Sequence, residues 1–159
     1  MRKTISGFTI VELLIVIVVI VILASITIVS YNSVNNKART TAKINDITSI
    51  QNLVERYASE KGSYPSTGGA WKYQRRDGDA FIPGLTPEYA SSLPSITDDP
   101  TNNLINNTYI YKSDGTNYKL DRLYQPSVPS GEFSNIPSDM KDNTYTDRWG
   151  VWSSGGTGF

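Results

Sequence analysis

Hydrophobic and polar residues are distributed very unevenly along this chain. From Phe8 to Val29 the sequence is almost wholly Ile, Val and Leu, with Glu12 as its one ionisable group. As a helix the run is roughly 33 Å long at about 1.5 Å per residue, enough to span the hydrocarbon core of a bilayer. Membrane insertion of so many branched aliphatics gains roughly 5–10 kcal/mol. Arg2 and Lys3 precede the run and favour a cytoplasmic leader, with the C-terminus outside.

Beyond Val29 the apolar positions thin out but keep a helical period. Tyr31, Val34, Ala38, Ile44, Ile47, Ile50, Val54, Tyr57 and Ala58 recur mostly at three- and four-residue steps. That spacing predicts an amphipathic helix with one stripe against a core. Gly62 and Pro65 stop it. No Gly or Pro lies between Phe8 and Lys61, so one continuous helix of roughly 80 Å is expected.

The pattern then changes to alternation and turns. Residues 62–71 (GSYPSTGGAW) are turn chemistry, and residues 84–108 read as loop. TYIYKS and TNYKLDRLY flank Asp114-Gly115 and predict a β-hairpin. Arg148–Trp152 offers a last strand, and the tail from Ser153 is expected to be mobile. The expected class is α+β: a long N-terminal helix, its first half transmembrane, packed on a small antiparallel sheet. The expected parse is a leader at 1–7, a transmembrane or core helix at 8–30, an amphipathic half at 31–62 and a β-rich head at 63–159.

Composition narrows the chemistry. The 159 residues carry 15 Lys+Arg against 15 Asp+Glu, which argues against nucleic-acid binding by bulk charge. Cys and His are both absent. Disulfides, thiolate zinc sites, Cys nucleophiles and the commonest general base are thereby excluded. No carboxylate pair stands in a recognisable catalytic arrangement, so no enzyme activity and no cofactor are expected.

Three readings of the N-terminus compete. A secretory signal cut near Ala24 would leave an oily stub from Ile26 to Val29. A plain signal anchor gives Glu12 no purpose. A cut at the Gly7–Phe8 boundary would leave the whole apolar run on the mature chain. On the residues GFTIVELLIVIVVIVILASITIV, the chain resembles the type IV pilins and pseudopilins. Gly7, Phe8 and Glu12 match the family's leader end, first mature aromatic and fifth-residue carboxylate, and Thr9 and Leu13 suit its pattern.

The resemblance implies a prepilin peptidase that cleaves after Gly7 and methylates the amine of Phe8. It implies a structural filament subunit, in a pilus or a secretion apparatus. Its partners would be other copies and other pilins, an assembly platform protein and an ATPase. It would be a single-pass cytoplasmic-membrane protein before assembly and an extracellular filament afterwards. Glu12, costly among oily helices unless paired, would set register against the Phe8 amine of a neighbour. Val21 and Val29 stand where many pilins have Gly and Pro, which argues against local melting of the helix.

The head layout also resembles small pseudopilins, through YIYKSDGTNYKLDRL, Asp99-Pro100 and Asp147–Gly150. Without a disulfide, Trp149 and Trp152 are expected to hold its end. Asp98, Asp99, Asp114 and Asp121 are calcium candidates, with turn and surface carboxylates the favoured reading. Trp71, Lys72, Tyr73, Arg75 and Arg76 form a candidate DNA patch, as in a competence pilin. The plainer alternative is a strand with its aromatics inward and its cations solvated. The ten Tyr suit either adhesion or a sheet. Asn106-Asn107-Thr108 matches a glycosylation sequon, and glycines between 155 and 158 lack a phosphate-loop context.

Overall fold

The computed structural model describes residues 9–96 and 106–159, without the side chains of 27–30 and 32. The expected cleavage site at Gly7 and Phe8, and the calcium candidates Asp98 and Asp99, lie outside the described residues. The chain divides into two compact units, residues 1–38 and 39–159.

Helix α1 runs from Ile10 to Lys61 without interruption. It ends because Gly62 enters the left-handed region at φ +78° and donates its N–H to the Ala58 carbonyl. In the first unit every large apolar side chain described from Ile10 to Ile26 is 47–84% exposed. The transmembrane half expected here is not met in those terms. Among the described residues no helix is long and apolar enough to cross a membrane.

In the second unit α1 lies against a four-stranded antiparallel sheet. Its strands are β1 (Lys72–Tyr73), β2 (Thr108–Ser113), β3 (Tyr118–Leu123) and β4 (Arg148–Trp152), in the order β1-β2-β3-β4. Short helical turns fill the connections: α2 (Gln74–Asp77), α3 (Ser130–Phe133) and three 3₁₀ turns at Gly78–Phe81, Ser138–Met140 and Gly156–Gly158. Register pairs Tyr111 with Leu120 and Leu120 with Val151. Period-2 alternation then turns Tyr109, Tyr111, Tyr118, Leu120 and Trp149 to the helix face. They share one core with Ile47, Ile50 and Val54 of α1.

The structure corrects the sequence reading in four places. The helical stripe starts late: Tyr31 and Val34 are 69% and 68% exposed, and burial begins at Thr40, inside the second unit. The segment after Gly84 is irregular, yet Leu85, Tyr89 and Leu93 belong to the core. The hairpin closes through four residues rather than two. Asp114 Oδ1 accepts the N–H groups of Thr116 (2.8 Å) and Asn117 (2.7 Å), making a longer polar turn. Finally, the tail expected to be mobile is packed. Gly156 is buried, and a Cβ there would lie 2.0 Å from the Tyr118 carbonyl oxygen. A Cβ on Gly155 would lie 2.2 Å from the Asn117 side chain. Close backbone approach is what these glycines permit.

Candidate functional site

The first turn of α1 is held by a reciprocal pair. Thr9 Oγ1 accepts the backbone N–H of Glu12 at 3.2 Å. Glu12 Oε2 in turn accepts the backbone N–H and the hydroxyl of Thr9, both at 2.8 Å. This is a capping box, in which two orphan donors of a helix N-terminus are satisfied by side chains. Thr9-x-x-Glu12 is its legible signature, and the sequence reading, which weighed Glu12 as a register group or a snorkelling helix-end carboxylate, passed over it. The box fixes the carboxylate at the tip of the helix.

Behind that tip stands a helix that is apolar on every side. A surface helix of a globular domain has one apolar stripe; this one has no polar face from Leu13 to Leu23. So continuous an apolar surface on a single chain marks a lipid or protein contact. Chemically the site offers one anion at the end of a greasy rod, and nothing that could activate a nucleophile.

The head is tied to α1 by tyrosines that reach carboxylates. Tyr109 donates to Asp46 at 2.9 Å, Tyr118 to Glu55 at 2.8 Å and Tyr89 to Glu60 at 2.9 Å. Burial, reinforced by the Glu55 hydrogen bond, pushes the Tyr118 phenol well above its ordinary range. Glu132 is the hub of a second network. It accepts from Lys43 of α1 at 2.7 Å, from Trp149 Nε1 at 3.1 Å and from the hydroxyl of Tyr124. Tyr is therefore used here for its polar handle as well as its area. Trp149 holds the last strand, while Trp152 is half-buried on the opposite face.

The remaining candidates are dispersed. Asp114 caps the hairpin turn, and Asp121 is buried mid-strand in β3. They do not converge, and among the described residues no acidic cluster suited to a metal is found. Around Trp71, only Lys72 and Tyr73 are strand; Arg75 and Arg76 lie in α2. Arg76 pairs with Asp77 at 3.0 Å and covers the Tyr73 ring at 4.7 Å. Trp71 is flanked by Lys112 at 5.7 Å and Arg148 at 5.6 Å. Thr108 of the sequon is fully buried, and its hydroxyl accepts the N–H of Arg75.

The face of the sheet away from α1 carries a feature that no motif announced. Lys119 and Asp142 form an ion pair at 2.5 Å, with side chains only 1% and 5% exposed. Tyr145 and Trp152 present their rings to the ammonium at 5.4 and 5.3 Å. Burial pushes the Asp142 carboxyl up, but Lys119 and the Thr144 N–H more than offset this and hold it below its ordinary range. Asp121 lies two positions from Lys119 on the same face, and neither of its carboxylate oxygens has a hydrogen-bond donor. Burial lifts it to about 7, against the pull of Lys119 and Arg148.

Fold and site together define a class of chain: an uncovered apolar helix with a capped anionic tip, continuing into an α+β head. The comparison with known families agrees with that class. Residues 2–28 match the prokaryotic N-terminal methylation motif, the leader signature of type IV pilins and pseudopilins. The chain thus carries the mark of a type IV pilin-like precursor, and proteins with this motif are structural subunits rather than enzymes. No match was found among curated proteins or among solved structures.

Proposed function

We propose that this protein is a structural subunit of a type IV pilus-like filament, matured by cleavage after Gly7 and N-methylation of Phe8. The observation that carries the reading is the methylation motif on residues 2–28, continuous with a helix whose apolar side chains are uncovered on all sides. Before assembly, lipid covers that surface and the helix anchors the precursor in the cytoplasmic membrane. After assembly, neighbouring helices replace the lipid. A prepilin peptidase, an assembly platform protein, an ATPase and other pilins are the partners the reading requires.

Glu12 has two separable roles under this proposal. Its capping contacts with Thr9 order the helix tip within one chain. Its charge meets the methylated amine of Phe8 on a neighbour and sets axial register. Gln keeps the capping box but not the charge. Glu12→Gln should therefore insert in the membrane and be cleaved, yet yield few sheared filaments. Wild-type filament yield from Glu12→Gln would reduce Glu12 to a cap and overturn the register role. The mature N-terminus tests the whole proposal. Mass spectrometry of protein from the native cell should find N-methylated Phe8, whereas a chain starting after Ala24 would refute it.

A further inference from the structure

We propose that Lys119 and Asp142 are joined by a side-chain amide, a covalent cross-link between strand β3 and the segment preceding β4. This rests on the geometry of the head alone and goes beyond the filament reading.

The two groups are already in contact. Lys119 Nζ lies 2.5 Å from Asp142 Oδ2, and both side chains are out of solvent. Asp142 Oδ1 is held by the backbone N–H of Thr144 at 2.7 Å, which fixes the plane of the carboxyl group. Beyond Asp142, the Nζ contacts described are a weak one of 3.4 Å to the Phe159 carbonyl and the aromatic faces of Tyr145 and Trp152. An ammonium with three donors is poorly served there. Desolvation weighs against a buried ion pair, and a neutral amide in its place has no ionic charge to desolvate. Holding amine and carboxyl together removes the entropic barrier that makes condensation slow between free molecules.

The step balances without any co-reactant. One proton passes from the Lys119 ammonium to Asp142 Oδ2, against the contacts that hold that carboxyl ionised, leaving a free amine and a neutral acid. Nζ attacks Cγ, and the charge that develops on Oδ1 is received by the Thr144 N–H. A second proton leaves nitrogen for Oδ2, the Cγ–Oδ2 bond breaks, and water departs. Asp121 is the buried carboxyl on the same strand face, and neither of its oxygens has a hydrogen-bond donor. Gly150 makes room for it: a Cβ there would lie 2.5 Å from Asp121 Oδ1.

The full-length protein, extracted from membranes in detergent and digested with trypsin, tests this directly. Acylated Lys119 resists cleavage, so a branched species joining residues 113–122 to residues 142–148 is expected. Its mass should be one water below the sum of the two peptides. Linear peptides 113–119, 120–122 and 142–148 of full mass in the wild type would overturn the proposal, and that result depends on no variant. Lys119→Met should abolish the water loss; its persistence there would place the loss in an Asp142 succinimide and overturn the cross-link. Asp142→Asn should form the same branched peptide with loss of ammonia in place of water.

Discussion

Asp121 makes stability depend on pH in an unusual direction. Burial raises its pKa to about 7 in the folded chain. Between about pH 4 and pH 7 the folded state thus holds a proton that the unfolded chain has released. The penalty is absent below that window, grows as pH rises through it and is constant above. Asp121→Asn should flatten this slope and gain on the order of a few kcal/mol at about pH 8, read by denaturant titration at both ends of the window. Gly156 is a second residue with a sharp requirement. An added methyl group collides with the Tyr118 carbonyl, so Gly156→Ala should cost about 1–3 kcal/mol in the same assay. Full stability in that variant would mean the tail is not seated on β3.

Among the elements, the join between α1 and the sheet is the most exacting. Glu132 is a buried charge whose hydrogen-bonding partners are Lys43, Tyr124 and Trp149. Glu132→Ala leaves the Lys43 ammonium without its carboxylate and should destabilise the head by roughly 3–5 kcal/mol. Thermal unfolding of the variant checks this, and a small change would mean that water serves Lys43 equally well. Glu132 could not be picked out beforehand, because it sits in a Pro- and Ser-rich stretch with no period. By contrast β2, β3 and β4 were legible, since Tyr109, Tyr111, Tyr118, Leu120 and Arg148–Trp152 alternate or cluster as strand residues do. Strand β1 is two residues long and too short to leave a pattern. Leu85, Tyr89 and Leu93 bury themselves from an irregular segment, where neither the helical nor the strand period applies. The N-terminal site divides likewise. Its apolar run and Glu12 stand out in the sequence. The capping role of Thr9 needed the T-x-x-E spacing to be read as helix chemistry.

For the molecule as a whole, the proposed function would place the apolar run in two environments with different tolerances. Lipid lets a long cationic side chain snorkel, whereas packed helices do not. Val18→Lys should lose about 3 kcal/mol of insertion free energy, which the run's roughly 5–10 kcal/mol covers. The variant is expected in the membrane fraction but not in sheared filaments. Its absence from the membrane would show that insertion is far closer to balance than the composition indicates.

The ties between α1 and its sheet have a mechanical consequence. Lys43, Asp46, Gln51 and Glu55 meet Glu132, Tyr109 and Tyr118 along one side of the helix. Over that distance, about 18 Å, they lie side by side along the axis. A pull along the helix therefore loads them in shear, all at once, rather than peeling them one after another. The tyrosines that decorate this head are the rivets through which tension on the rod reaches the sheet.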